Sequence, residues 1–162
     1  MKWLIMVLFW FLYWGICFLC TGTDRENLAG LRSYPEQVQA RVRERLPDTA
    51  PKEKSVPSIL LGNLILFTAV FSGIGLIFNR VLAFDGYLSA FWYFLALGEG
   101  LGLFDLLVID LLWWRNTKRI RFSFLPEQEA YQNPAKHIGS FVRGIPLFAA
   151  IAALSALIVS LF

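Results

Sequence analysis

Gly98-Glu99-Gly100-Leu101-Gly102-Leu103-Phe104-Asp105-Leu106-Leu107-Val108-Ile109-Asp110 is the stretch on which the reading of this chain turns. It sets three carboxylates, Glu99, Asp105 and Asp110, inside the apolar run Leu88–Trp114. A bilayer is crossed by about 20 apolar residues, so the run is long enough to span one. The Leu, Ile, Phe and Val residues of 88–112 favour insertion by about 7 kcal/mol, against a cost of about 5–7 kcal/mol for Glu99 and Asp105 at full depth. Such a helix is marginal alone, and its acids are expected to face other helices rather than lipid.

The rest of the sequence agrees with a membrane setting. Of its 162 residues, 57% are hydrophobic, which excludes an ordinary soluble fold. Four apolar runs, Lys2–Cys20, Ser58–Phe78, Leu88–Trp114 and Gly144–Phe162, have spanning length. They lack the apolar–polar alternation of barrel strands, so the expectation is an all-α polytopic protein with four transmembrane helices in a single membrane domain, residues 1–162. All of the 15 Lys and Arg except Lys2 and Arg80 fall in residues 24–56 and 115–143. The positive-inside rule places both segments in the cytoplasm and both termini outside, as a multi-pass protein of the cell membrane. That asymmetry accounts for the net charge of +3 without nucleic acid. Arg115, Lys118, Arg119 and Arg121 are expected to meet anionic lipid head groups.

The first run is read as a retained anchor rather than a signal peptide, because it is long and no Ala-x-Ala site precedes Thr21. Beyond it, Ser33-Tyr34-Pro35-Glu36 matches a capping box, and Val38, Val42 and Leu46 recur at four-residue spacing. A short amphipathic cytoplasmic helix is expected there, with a linker over 47–54. Small residues at Gly62, Ala69 and Gly73, and at Gly98 and Gly102, are expected to be helix-packing surfaces. Asn133-Pro134 reads as the start of the last helix, and Pro146 as a kink within it.

Helical arithmetic separates the acids. Glu99 and Asp110 fall within about 20° on one face but about 16 Å apart, and Asp105 lies about 120° from Glu99. No two have the i, i+3 or i, i+4 spacing of a compact carboxylate pair, and no metal or cofactor is assigned. Depth matching puts Asp110 level with His137, Arg143 and Asn63, as an ion pair or gate. Asp105 falls level with Thr68, and Glu99 with Ser72 and Ala149-Ala150. Glu99 has no basic residue at its depth and is expected to be protonated at rest, as an exchanging site requires. Cys17-x-x-Cys20 lies in a helix, outside the βαβ setting of a redox motif, and no nucleophile-elbow, zincin, Walker or dinucleotide fingerprint occurs.

The leading expectation is therefore an ion- or proton-linked transport component, working as a homo-oligomer, with Glu99 and Asp105 as relay groups. The alternatives are a non-catalytic subunit that pairs with a partner membrane protein and, less favoured, a lipid-modifying enzyme using Asp105, Asp110 and His137.

Overall fold

A computed structural model describes residues 1–51 and 55–162. The described chain is all-α. Its helices are α1 (Lys2–Leu19), α2 (Asp24–Ala29), α3 (Glu36–Arg45), α4 (Val56–Ile77), α5 (Asn79–Leu82), α6 (Gly86–Phe104) and α7 (Ala135–Val159), with short 3-10 turns at Leu31–Ser33 and Gln128–Tyr131. Directly after α6 the chain winds into a π-helix, Asp105–Trp114. An isolated bridge between Phe122 and Leu125 is the sole β pairing among the described residues.

Three helical segments are long and apolar enough to cross a membrane, Lys2–Leu19, Val56–Ile77 and Gln128–Val159, rather than the expected four. The run Leu88–Trp114 is helical throughout but changes winding at Asp105. Glu99, its flanking glycines and the Trp and Tyr rings hold down the mean hydropathy of α6 on its own.

The chain divides into two compact units. The first comprises Met1–Trp10, Lys54–Leu103 and Val142–Phe162. Its core joins Met6 of α1, Phe71 of α4, Phe94 and Leu97 of α6, and Ile151, Ala152, Ala156 and Val159 of α7. Phe71 stacks on Phe94 and Phe148, with centroids 6.0 and 6.3 Å away. Two glycines of α6 permit this packing. A Cβ at Gly98 would lie 2.7 Å from Phe148 Cδ1, and one at Gly100 would meet the Trp10 ring. The Trp10 indole, seated there, donates to the Leu97 carbonyl at 3.1 Å. Ser55 caps α4, accepting from the Ser58 amide, with Pro57 in the first turn.

The second unit comprises Phe11–Glu53 and Phe104–Phe141. Leu31, Tyr34, Val38 and Val42 pack against Trp114, Ile120, Phe122, Leu125 and Tyr131. The apolar face of α3 thus covers the chain around residues 120–131. Buried polar groups are satisfied across this core. Tyr34 donates to the Ile120 carbonyl at 2.8 Å, and Tyr131 donates to the Leu125 carbonyl at 2.8 Å while accepting from the Phe122 amide at 3.1 Å. Burial pushes the Tyr34 hydroxyl well above the usual tyrosine range. Asn27 donates to the Arg119 carbonyl at 2.9 Å, and the Asp24 carboxylate accepts from the Ser123 amide at 2.8 Å.

Two helix starts differ from expectation. The capping box is at Thr23 and Glu26, which exchange side-chain and backbone hydrogen bonds. Ser33 instead ends a 3-10 turn, and α3 begins at Glu36 with no side-chain cap, because Pro35 occupies the cap position. At α7 the Asn133 side chain accepts from the Ala135 amide at 3.0 Å, and the helix runs through Pro146. Of the linker expected over 47–54, residues 52–54 lie outside the described residues.

Candidate functional site

The π-helix changes the relation between two of the acids. Five residues turn about 500° in an α-helix, which sets Asp105 and Asp110 about 140° apart, but about 410° at about 4.4 residues per turn, which sets them about 50° apart. One π turn therefore places both carboxylates on one side of the helix. The hydrogen bond from the Arg115 amide to the Asp110 carbonyl, 3.3 Å, carries this five-residue register to the end of the segment. Burial follows the same period: Leu107 and Leu112 are exposed, and Ile109 and Trp114 are buried.

Asp110 is joined to α7. Its Oδ2 lies 2.8 Å from His137 Nδ1, and the imidazole packs edge-on against Trp114 with centroids 5.0 Å apart. His137 is buried, and its Nε2 has no hydrogen-bond partner among the described residues. With Nδ1–H donating to the carboxylate, Nε2 is a buried acceptor, a state that costs about 1–3 kcal/mol when unsatisfied.

The second half of α1 forms another wall. Phe11 meets Phe104 at 5.6 Å between centroids, and Trp14 and Phe18 meet Trp113 at 6.2 and 6.1 Å. Tyr13 and Cys17, one turn apart on α1, share a hydrogen bond, and both lie near Asp105 and Asp110. Two carboxyls, an imidazole, a phenol and a thiol thus gather in one unit, a set able to hold and pass protons. Among the described residues no group of three His, Cys, Asp or Glu side chains is placed to hold a metal ion.

The other anticipated residues are placed one by one along the helices. Glu99 is half-buried on α6 in the first unit, between Gly98 and Gly100. Arg143 is exposed on α7, six residues after His137 in the chain. Thr68 and Ser72 of α4 have buried hydroxyls without partners among the described residues, and Ser155 donates to the Thr68 carbonyl at 3.5 Å. Gly62 and Gly73 have open space where a Cβ would stand, Ala69 is exposed, and Gly102 is half-buried on α6. Of the basic cluster, Lys118 is exposed while Arg115, Arg119 and Arg121 are half-buried. Arg119 lies over the Phe18 ring at 4.0 Å and donates to the carbonyls of Phe18 and Thr21, closing the end of α1. Cys17 and Cys20 are free thiols.

Sequence reasoning did not bring Asp105 to Asp110, nor Tyr13 and Cys17 to either. The available signal was the five-residue interval itself, repeated by Leu107 with Leu112 and by Ile109 with Trp114. Comparison with family models, with curated proteins and with solved structures gave no match.

Proposed function

We propose that this chain is a multi-pass protein of the cell membrane and a component of proton- or ion-linked transport, with Asp105, Asp110 and His137 as its exchanging groups. The observation that carries the reading is the 2.8 Å contact of His137 with Asp110, which sits one π turn from Asp105. An imidazole and a carboxyl group each bind and release protons, and one side of the helix brings the two carboxyls together beside the ring. Glu99, alone on α6, is a second relay point.

The connectivity supports residues 24–56 and 115–143 lying together in the cytoplasm. Asn27 binds Arg119, Tyr34 binds Ile120 and Asp24 binds Ser123, contacts that a common side of the bilayer requires. A chain that leaves this side through α4 must return, and α6 with its π continuation is the segment that brings it back. The positive charge concentrated in these segments favours the inner side for both.

The test is proton flux into vesicles containing the purified protein and a trapped pH-sensitive dye, driven by a potassium diffusion potential. Wild type is expected to acidify the lumen, and Asp105→Asn and His137→Gln to abolish flux while still assembling. Equal flux in all three preparations, or none above empty vesicles in wild type, overturns the reading. Glu99→Gln in the same assay decides whether α6 contributes a relay.

A second reading, a non-catalytic subunit of a larger membrane complex, draws on the outward face of α4 at Gly62, Ala69 and Gly73. Loss of accumulation in cells lacking a co-purifying polypeptide supports it.

A further inference from the structure

We infer that Asp105–Trp114 is a register switch, wound as a π-helix when the Asp105–Asp110 pair holds a proton and as an α-helix when both carboxylates are ionised. The inference rests on the proton-exchange reading above and deepens it by giving protonation a mechanical consequence.

A π-helix is a costly winding, ordinarily confined to single turns and found where function requires it. Here it persists for ten residues, so other interactions must favour it. Two kinds are visible. Packing repeats every fifth residue, with Ile109 and Trp114 inward and Leu107 and Leu112 outward. The Asp110–His137 contact then anchors the segment to α7. Opposing both, π winding brings Asp105 to within about 50° of Asp110, where α winding holds them about 140° apart. Two ionised carboxylates on one face repel, and little water is present to screen them in a half-buried site.

The sign of the effect is set by the groups that face the pair. These are His137 from α7 and Tyr13 and Cys17 from α1. With one proton on the pair, a single carboxylate faces the His137 imidazole and the π face carries no like-charge repulsion. Removing that proton leaves two like charges on one face. A phenol and a thiol, Tyr13 and Cys17, supply no compensating positive charge. The repulsion favours the α register, which swings Asp110 about 90° relative to Asp105. A proton bound or lost at the pair is thereby converted into rotation of the segment that leads into residues 115–134.

Leu107 and Leu112 report the register because both are exposed and five residues apart. Nitroxide labels at Leu107→Cys and Leu112→Cys, about 8 Å from the helix axis, stand about 9 Å apart in π winding and about 17 Å apart in α winding. The host is the full chain with Cys17→Ser and Cys20→Ser, the serine keeping a hydroxyl beside Tyr13, in phosphatidylcholine–phosphatidylglycerol vesicles. Continuous-wave spectra are compared with the sum of the two singly labelled proteins at about pH 5 and about pH 9. Strong dipolar broadening at the acid pH that is lost at the alkaline pH is expected, and Asp105→Asn is expected to retain it at both. Broadening that is unchanged with pH in the host overturns the switch. Flux assayed on the same vesicles keeps the two ideas apart: a fixed register with intact flux removes the switch and leaves proton exchange standing.

Discussion

His137 Nδ1 and Asp110 Oδ2 lie 2.8 Å apart and join α7 to the π-helix. Hydrogen bonds to a charged group contribute about 1.5–3 kcal/mol each, so Asp110→Asn and His137→Gln are each expected to destabilise by that amount. The double variant should lose little more than either single, because both remove one interaction. Thermal unfolding of the four proteins in one mild detergent measures the coupling, and strict additivity would count against a direct bond.

Tyr34 holds the second unit together through its hydroxyl. Tyr34→Phe leaves the Ile120 carbonyl buried without its donor and is expected to cost about 1–3 kcal/mol. Limited proteolysis should then cut within 24–50 sooner than in wild type, while the apolar helices stay protected. An unchanged digestion pattern would show that the bond contributes nothing to local stability.

Arg119 closes the end of α1 through the Phe18 and Thr21 carbonyls and the Phe18 ring. Arg119→Ala removes these donors and the cation over the ring, an expected loss of about 1–3 kcal/mol, while Arg119→Lys should restore only part of it. Amide exchange at residues 17–21 is the readout, with faster exchange expected in the alanine variant.

Two glycines in similar sequence settings should behave in opposite ways. Gly98→Leu drives its side chain into Phe148 and is expected to reduce stability by about 1–3 kcal/mol. Gly62→Ala meets nothing within 4 Å and gains helix propensity, so a neutral or slightly stabilising effect is expected in the monomer. Melting temperatures compare them directly, and a Gly62→Ala loss as large as that of Gly98→Leu would mean that another surface covers α4.

Ala83 adopts a left-handed conformation, φ 39°, at the end of α5. Glycine takes that conformation without the Cβ penalty, so Ala83→Gly is expected to stabilise by about 0.5–1 kcal/mol despite the added freedom of the unfolded chain. A fall in melting temperature would show that unfolded-chain entropy outweighs the relief of strain.

The apolar helices were legible because length and hydropathy are properties of contiguous residues: Lys2–Cys20 and Ser58–Phe78 lie within two residues of α1 and α4. Val38 and Val42, which recur at four-residue spacing, are both buried on α3. What it faces was hidden, since Ile120 and Phe122 are some 80 residues distant and carry no periodic signal of their own. The capping box was assigned to Ser33 because pattern alone does not distinguish it from Thr23-x-x-Glu26, and Pro35 decides between them. For the site, α-helical arithmetic set Asp105 and Asp110 apart. Only the long-range packing of Ile109 and Trp114 and the bond to His137 select the winding that joins them.

The two-part construction of the second unit also sets an order of events during synthesis. Asn27 and Arg119 are 92 residues apart, so at about 5–20 residues per second the first segment waits about 5–18 s for its partner to be made. Until then Val38 and Val42 have nothing to bury against, and α4 and α6 must already be placed when residues 115–131 arrive. The core of the second unit can therefore close only after α4 and α6 have been made and before α7 is complete, and a chain truncated before residue 115 leaves that core permanently open.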